Sequence, residues 1–530
     1  MTLTEIPALQ QMGVPVLSIL IFLPLAAALL LRLIQDSKTA YTIGLGVSIA
    51  ELALALLVWL RFIPNVSDMQ FVEHLPLIPA LGFSYHLGVD GISVLFLPAT
   101  ALLGVLAVLY AETSSREDAG GYLSAMLMFE GIMIGAFVSL DLLMFLFWFV
   151  AELCPSWLLV TRWGTGEKRF EAARAYVTMM LAGSGAMLVG MIMLAISYAN
   201  VTGSGVTFDY VKLLSAEIPG PAQATMFFLI CIGLAVKAPI FPLHTWMPKV
   251  LEQGPIVGMS VFLVGIKLGT YGLLRFAIPL FPQAAAEWFW LLAMLGVIGM
   301  VYGALIALVQ TNLRRLLAFA SLSHVGVVML GLFSLNFEGF QGGLMQMLNL
   351  GITGAGLFFL AGFLFRRVGQ PDLRSMGGVQ EFAPYLAMAF LIIGLAGVGM
   401  PGTSGFNGEH LIMLGAYKVS PWMAGAAGLG TMLSASYFLW YYQQAFLGKA
   451  RVPSTPVAGD LGKRELGIAG TLSAFVIVIG LYPAPFLDTM NGSLRAIEAR
   501  LSKASAQAEA ETEPVATPKG VVILPAVAEQ

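Results

Sequence analysis

The sequence predicts an all-α fold, a polytopic membrane helical bundle of about fourteen transmembrane helices. Of its 530 residues, 58% are hydrophobic and only 11% are charged, and the mean hydropathy is +0.85. A soluble domain carries about 25% charged residues, so lipid must be the solvent for most of this chain. Only helices and closed barrels satisfy the backbone in lipid, and these apolar runs are too long and uniform for barrel strands.

Apolar segments of spanning length, bounded by charged residues, glycine or proline, define the helices in chain order. They fall at 15–34, 40–61, 89–110, 121–139, 141–161, 174–199, 223–248, 254–279, 286–309, 315–335, 341–365, 382–418, 421–446 and 466–488. The first follows an acidic N-terminus without a small-residue cleavage site and is interpreted as a retained span, not a signal peptide. From about residue 505 the chain is rich in Ala, Glu and Pro, a composition typical of disorder.

Positive charge is distributed unevenly between the loops. The loops after even-numbered spans hold only Arg61, Lys212, Arg275 and Lys418, whereas the loops after odd-numbered spans hold many more Lys and Arg residues. The positive-inside rule places the charge-rich loops in the cytoplasm. Both termini are therefore predicted to be non-cytoplasmic.

Two of the predicted spans contain helix breakers. The seventh reads VKAPIFPLHTWMP, with Pro239 and Pro242 inside it, and in the twelfth Pro401 and Gly402 interrupt an apolar run. Proline removes a backbone donor and clashes with the preceding turn, so each helix should open there. Two interrupted helices in corresponding positions are typical of inverted-repeat transporters. The spacing predicts two inverted five-helix repeats, helices four to eight and nine to thirteen, with broken seventh and twelfth helices.

Six ionisable residues stand out within the predicted spans: Lys237, Lys267, His324, Glu409, Glu152 and Glu130. A charge at the bilayer centre costs at least about 2.5–3.5 kcal/mol, so each of these residues is expected to have a functional or structural role that offsets this cost. One interpretation is a proton pathway, because an apolar environment favours neutral lysine, a nearby glutamate favours charged lysine, and histidine titrates near neutral pH. The alternative is that they are satisfied polar groups that hold helices together or extend to the interface.

Three weaker candidates have simpler expected roles. Asp90 and Asp141 lie near span ends, where capping or interface anchoring is expected. His244 follows Pro242, where packing is as good an interpretation as proton relay.

Several function classes lack support in the sequence. The net charge of −3 argues against a nucleic-acid partner. Cys154 and Cys231 lie in apolar runs and are interpreted as small hydrophobic residues, not as a disulfide or metal site. There is no phosphate loop, CxxC pair, dinucleotide fingerprint or nucleophile elbow. We therefore expect no cofactor, no metal and no redox chemistry in this chain itself.

Four segments, VKAPIFPLHTWMP, GIKLGTYGLLRF, NLRRLLAFASLSHVG and MPGTSGFNGEHLIMLGAY, together resemble the antiporter-like subunits of respiratory and photosynthetic complex I, of the subunit M or chain 4 type. The resemblance covers most of residues 85–420 and extends distantly to Mrp-type cation/proton antiporters. It implies a proton-translocating membrane-arm subunit of a complex I-type NAD(P)H/ferredoxin:quinone oxidoreductase, coupled to quinone reduction elsewhere in the complex. Other membrane-arm subunits are the implied partners, in a bacterial cytoplasmic or thylakoid membrane.

The resemblance also implies a division of the chain and residue roles. The N-terminal helices 1–3 take residues 1–111, the first antiporter-like repeat 112–280, the second 281–447, a C-terminal helix 448–504 and a disordered tail 505–530. Matched by motif, Lys237 resembles the lysine of the broken helix, and Lys267 resembles the connecting lysine. His324 resembles the relay histidine, and Glu409 the exit-side acid of the second half.

The fifth span departs from the family pattern. The family glutamate five residues before the proline is Val150 here, and only the acid three residues before Pro155, Glu152, is present. Two helical positions differ by about 200°, so Glu152 is expected to point to a different face, which leaves open whether it reaches Lys237. Either Glu152 or Glu130, one span earlier, is then the candidate substitute.

Two other function classes stay open. The first is a stand-alone or multi-subunit cation/proton antiporter without an electron-transfer partner. The second is a membrane scaffold in a specialised hydrogenase or carbon-uptake complex. The displaced glutamate favours these two classes more than the motif match alone would.

Overall fold

The computed structural model describes residues 3–114, 118–216, 218–369, 372–449 and 459–512. Within these ranges, ten helices are long and apolar enough to cross a membrane. Three shorter apolar helices accompany them, at Val16–Leu31, Phe96–Ala111 and Pro384–Gly397. The predicted helical membrane bundle is confirmed, whereas the count of fourteen spans stays a prediction.

The N-terminal region combines helices with a small sheet. Its elements are β1 (Glu5–Pro7), α1 (Ala8–Met12), α2 (Val16–Leu31), α3 (Ser37–Arg61), β2 (Met69–Ile78), β3 (Phe83–Val89) and α4 (Phe96–Ser114). The sheet order is β1-β2-β3, with β1 parallel to β2 and β2 antiparallel to β3. In the β2–β3 hairpin His74 lies directly opposite His86. This sheet was not predicted from the sequence.

The next helices contain the first break. They are α5 (Ala119–Val138), α6 (Leu142–Ala151), α7 (Leu153–Trp163), α8 (Arg169–Thr202), α9 (Tyr210–Ser215), α10 (Gly220–Lys237), α11 (Trp246–Gln253), α12 (Gly258–Gly272) and α13 (Ile278–Leu280). A π-helical turn, Leu273–Ala277, joins the last two. Asp141 accepts hydrogen bonds from the backbone N–H groups of Leu143 (2.9 Å) and Met144 (3.2 Å) at the start of α6. This bond pattern confirms the predicted capping role.

The second break lies in the following group of helices. They are α14 (Pro282–Val309), α15 (Leu313–Leu332), α16 (Phe337–Val368), α17 (Val379–Phe382), α18 (Pro384–Gly397), α19 (Ser404–Val419) and α20 (Pro421–Phe446). Helices α14 and α15 approach closely through glycine, since a Cβ at Gly326 would lie 2.6 Å from the Met300 nitrogen. Small residues at such crossings let membrane helices pack at short range.

The C-terminal region differs from the single helix expected at 448–504. It contains two described helices, α21 (Lys463–Leu481) and α22 (Ala484–Thr512). Pro483 falls between them, and proline ends a preceding helix. Helix α22 continues into the segment expected to be disordered from residue 505. Residues 513–530 lie outside the described part of the chain.

The interior of the bundle is formed around α12. Every residue of α12 is buried, and this helix packs against α4, α10 and α16. Outer helices such as α3, α14 and α21 expose large apolar side chains, including Leu60, Leu305 and Leu481. Apolar side chains on an outer surface are what a lipid-facing helix requires. The charged residues of α10 and α12 are therefore held inside the bundle.

Candidate functional site

The first predicted break is present between α10 and α11. Pro239 has no N–H to donate to the Ala235 carbonyl, which accepts instead from Ile240 N–H at 2.9 Å. The Val236 carbonyl, which loses that partner, accepts from the indole N–H of Trp246 at 2.9 Å. The opened turn is thus satisfied by the chain itself, and it leaves Lys237 as the last residue of α10.

The second predicted break, between α18 and α19, uses the same type of turn. Met400 N–H donates to the Leu395 carbonyl five residues back, at 3.0 Å, just as Ile240 does at the first break. Two left-handed glycines follow the end of α18, Gly399 at φ 75° and Gly402 at φ 88°. Both predicted helix interruptions are therefore confirmed.

Lys237 is completely buried and forms an ion pair with Glu152, which is also completely buried. Tyr176 bridges the pair, because its hydroxyl accepts from Lys237 Nζ at 2.9 Å and donates to Glu152 Oε2 at 2.6 Å. Ser156 donates to the other carboxylate oxygen at 2.5 Å. A buried pair with such added hydrogen bonds compensates the cost of desolvating both charges.

Aromatic rings surround the same lysine. Its Nζ lies 5.6 Å from the ring centroid of Phe149, 5.5 Å from that of Tyr176 and 5.9 Å from that of Phe262. Ring faces attract a cation at this range, most strongly where water is excluded. The three rings therefore add to the attraction that Glu152 exerts on the Lys237 ammonium group.

The expectation that Glu152 points away from Lys237 is wrong. Glu152 lies at the junction of α6 and α7, because Pro155 has no N–H for the Ala151 carbonyl. The Glu152 backbone is nonetheless helical, with φ −58° and ψ −24°, so the helical angle from Val150 is kept. That angle relates positions on one helix only, whereas the long lysine side chain reaches Glu152 from another helix. Val150, the family position, is only half-buried.

Glu130 is buried on α5 but pairs with a different neighbour. Its carboxylate packs against Gly104 of α4 and interacts electrostatically with Glu51 of α3, which is also buried. Both Glu51 oxygens and one Glu130 oxygen have no hydrogen-bond partner among the described residues. The ion pair of Lys237 belongs to Glu152, so Glu130 is not the substitute acid. Glu51 was missed, although a glutamate inside the apolar run of α3 is itself a signal.

Lys267 and His324 link the two halves of the bundle. Lys267 is buried in α12, and its charge acts on the half-buried His324 of α15. The His324 Nε2 lies 3.1 Å from the hydroxyl of Tyr437 on α20. A Cβ built on Gly397, the last residue of α18, would lie 3.9 Å from the His324 ring. The histidine thus lies between the α12 lysine and the second break.

Glu409 lies just after the second break and is buried. Its Oε2 accepts from Thr431 at 2.9 Å and its Oε1 accepts from Gln346 at 3.4 Å. The chain of polar side chains continues from Gln346 to Asn349 at 3.3 Å. Gly399 packs so tightly here that an added Cβ would lie 2.8 Å from the Glu409 carboxyl carbon. A side chain at residue 399 would therefore displace the acid.

Several hydrogen-bond partners of the predicted ionisable residues were not identified from the sequence. Tyr176, Ser156, Gln346, Thr431 and Tyr437 are all polar residues on membrane helices, and each contacts one of the predicted ionisable residues. Their signal in the sequence is weak, because Ser, Thr and Tyr are common in apolar helices. Only the fold identifies which of them meet a charge.

Asp90 has a partner beyond its cap. It accepts from Ile92 N–H at 3.0 Å, as a capping residue does, and also pairs with the buried Arg275 at 2.6 Å. The guanidinium lies 4.5 Å from the ring centroid of Tyr210. This pair joins the start of α4 to the π-helical turn after α12 and stands apart from the Lys237 pocket.

A cavity of about 610 Å³ lies beside the first break. Its lining includes Glu167, Lys168, His244, Thr245, Lys249 and Glu252. His244 is buried there and stacks on Phe241, with ring centroids 5.6 Å apart. Polar and charged side chains therefore line the opened turn on the side of the charge-rich loops.

The bundle has an apolar exterior, and charged side chains are buried inside it beside two opened helices. These features define an integral multi-pass membrane protein with intramembrane ionisable residues. Residues 139–434 match the family described as NADH:quinone oxidoreductase/Mrp antiporter, transmembrane, and the chain belongs to this family. The NADH-quinone oxidoreductase subunit M of Rhodobacter capsulatus is 35% identical over 501 residues, which cover 90% of this chain and 95% of that protein.

Solved structures agree with this membership. A chain of respiratory complex I from Thermus thermophilus with bound NADH is similar at a TM-score of 0.83 and 33% identity, covering 92% of this chain and 99% of that chain. A chain of the Mrp complex from Dietzia sp. DQ12-45-1b reaches a TM-score of 0.81 at 22% identity, with 92% and 99% covered. The second likeness is one of fold alone.

Proposed function

We propose that the chain is a proton-translocating membrane-arm subunit of a complex I-type NAD(P)H/ferredoxin:quinone oxidoreductase, coupled to quinone reduction in other subunits. The observation that carries the proposal is the buried Lys237–Glu152 pair at the opened end of α10. The family and the similarity to named subunit M proteins support it. Redox groups belong to other subunits in this proposal, and this chain moves protons only.

The Lys237 pair acts as the switch. Removing one partner from a buried ion pair costs about 3–5 kcal/mol, because the remaining charge is uncompensated. Moving Glu152 away from Lys237 therefore favours loss of the lysine proton. Tyr176 hydrogen-bonds to both groups and holds them in position relative to each other.

The proton path continues toward the second break. Lys267 of α12 and His324 of α15 are the next two groups of the proposed path, and His324 Nε2 lies 3.1 Å from the Tyr437 hydroxyl. Glu409, held by Thr431 and Gln346, is the acid on the far side. Glu130, with Glu51, modulates the first half from the N-terminal helices. A helix can open at membrane depth where it is packed in protein or lines a cavity, and a cavity lies beside the first break.

The orientation is part of the proposal. Lys168, Lys249 and Arg315 line the cavity beside the first break, and all three belong to the charge-rich loops. The positive-inside rule then makes this cavity the cytoplasmic entry and puts both termini on the non-cytoplasmic side. The first half takes up protons, and Glu409 delivers them.

A multi-subunit cation/proton antiporter is the second candidate, favoured by the fold likeness to the Mrp complex chain. The two candidates differ in what drives transport. An antiporter exchanges cations for protons without an electron donor, whereas a complex I-type subunit moves protons only when quinone is reduced.

Purification of the tagged chain from its own membrane in mild detergent discriminates between the two. We expect co-purifying subunits that oxidise NAD(P)H or ferredoxin and reduce quinone, and vesicles that acidify only when both donor and quinone are supplied. Cation/proton exchange by the purified chain without an electron donor would favour the antiporter. An assembly with neither activity would indicate a scaffold.

A further inference from the structure

A cluster of metal-ligating side chains lies at the small sheet, away from the buried lysines. The candidate ligand atoms of Glu5, His74 and His86 all lie within 4.8 Å of one another. Glu5 is on β1, His74 on β2 and His86 on β3, so each strand supplies one group. We propose that these three residues form a binding site for a divalent transition-metal ion of the Zn²⁺ class.

His86 is the anchor of the proposed site. Its side chain is completely buried, and its Nε2 faces Glu5 Oε1 at 3.4 Å. Its Nδ1 faces Asp209 Oδ2 at 3.3 Å on the other side of the ring. Neither ring nitrogen makes a well-directed hydrogen bond to a described residue. A buried polar ring that faces a cluster of further ligand groups points to a missing partner.

Asp209 supplies the second requirement of a histidine metal site. Metal-bound histidines usually hold their other ring nitrogen against a carboxylate, which fixes the tautomer. With the proton on Nδ1 directed at Asp209, the His86 Nε2 lone pair faces Glu5 and His74. Asp209 is itself rigid, since it caps α9 by accepting from Val211 N–H at 2.9 Å.

The two histidines are held as a pair by the sheet. His74 and His86 are directly opposite in the hairpin, and their rings stack with centroids 4.3 Å apart and planes 18° apart. Three ligands on a tetrahedral Zn²⁺ lie about 3.4 Å apart, as bond lengths of 2.0–2.2 Å require. An imidazole lone pair lies in the plane of its ring, so the exposed His74 must rotate out of this stack to face the same ion as His86, and the exposed Glu5 then closes the cluster.

Charge and ligand type select the class of ion. Glu5 and Asp209 carry two negative charges, and Lys212, 3.9 Å from Asp209, carries one positive charge. The remaining negative charge favours a cation. Two imidazoles with one carboxylate suit Zn²⁺ and similar transition metals, whereas Mg²⁺ and Ca²⁺ prefer oxygen ligands throughout. A bound ion would join β1 to the β2–β3 hairpin.

Zinc binding by the full-length chain tests the proposal. The protein is purified in detergent with a C-terminal tag that contains no histidine, stripped with chelator, and titrated with Zn²⁺ against a chromophoric competitor. We expect one site per chain, lost in His74→Ala and weakened about 10–100-fold in Asp209→Asn, which removes the charge while retaining a helix cap. His410→Ala, which removes an exposed histidine on α19, should bind as the wild type does.

Glu5→Gln is the second variant, because it removes an exposed ligand with little risk to folding. Its expected result is also a loss of affinity of at least about tenfold. Unchanged affinity in both Glu5→Gln and His74→Ala would overturn the site, and so would the absence of zinc binding by the wild-type chain.

Discussion

Removal of the Glu152 carboxylate is the sharpest perturbation of the Lys237 pocket. Glu152→Ala leaves a buried ammonium group without its counter-charge, and the three surrounding rings cannot replace a full negative charge. Breaking a buried ion pair by removing one partner costs about 3–5 kcal/mol. We expect the free energy of unfolding to fall by that amount.

The double variant Glu152→Ala, Lys237→Met should be more stable than the single variant. Removing both charges leaves no uncompensated ion, and apolar replacement of a buried pair is often neutral or stabilising. The Tyr176 hydroxyl then loses its partners at both ends, which costs about 1–3 kcal/mol. The second substitution should therefore recover about 2 kcal/mol, the difference between the midpoints of these two ranges.

Reversible denaturation with SDS, followed by far-ultraviolet circular dichroism, measures these free energies in micelles. Glu171→Ala removes an exposed glutamate from the neighbouring helix α8 and is the matched control, with an expected change within about 0.5 kcal/mol. A loss below about 1 kcal/mol in Glu152→Ala, or a double variant less stable than the single one, would refute the ion-pair reasoning.

Three further predictions concern stability. Tyr176→Phe removes the hydroxyl that joins Lys237 to its acid and should cost about 1–3 kcal/mol in the same SDS titration, less than Glu152→Ala. Gly399→Ala should lower the unfolding free energy by about 1–3 kcal/mol, because φ at residue 399 is 75° and the added Cβ would lie 2.8 Å from the buried Glu409 carboxyl carbon. Its control is Gly428→Ala on α20, where an added Cβ has no neighbouring atom within 4 Å and the change should be neutral or slightly stabilising. Thr39 donates hydrogen bonds that lower the pKa of Asp36, the cap of α3. The cap should therefore stabilise the protein above the unfolded pKa of about 3.9 and lose this effect as pH falls through the lower folded pKa. The difference in SDS midpoint between wild type and Asp36→Ala should shrink over that pH range, and a constant difference would contradict the prediction.

Hydropathy and helix breakers predicted the bundle well, because lipid imposes a simple rule on the backbone. Pro239 and Pro401 were sufficient to place the two interruptions, since proline removes a donor wherever it occurs. The direction of Glu152 was not predictable in this way. It depends on the reach of a lysine from another helix, which a helical wheel of the fifth span does not include.

The sheet and its histidine cluster could not be predicted from the sequence for a different reason. Glu5, His74 and His86 are far apart in the chain and show no metal-ligand spacing. Only the pairing of β1, β2 and β3 brings them together. The polar helix α22 was not predicted as a separate element, because residues up to 504 were assigned to one C-terminal helix and the following composition suggested a tail. Its apolar residues Met490, Leu494 and Ile497 are buried against the bundle.

Proton pumping by the reconstituted assembly with Lys237→Ala tests the central claim most directly. The quantity is the number of protons moved per quinone reduced, compared with the wild type and with Lys418→Ala, which removes an exposed lysine paired with Glu338. A fully assembled complex with a lower ratio in Lys237→Ala, and an unchanged ratio in Lys418→Ala, is the predicted result. An assembled Lys237→Ala complex that pumps with the wild-type ratio would contradict the account.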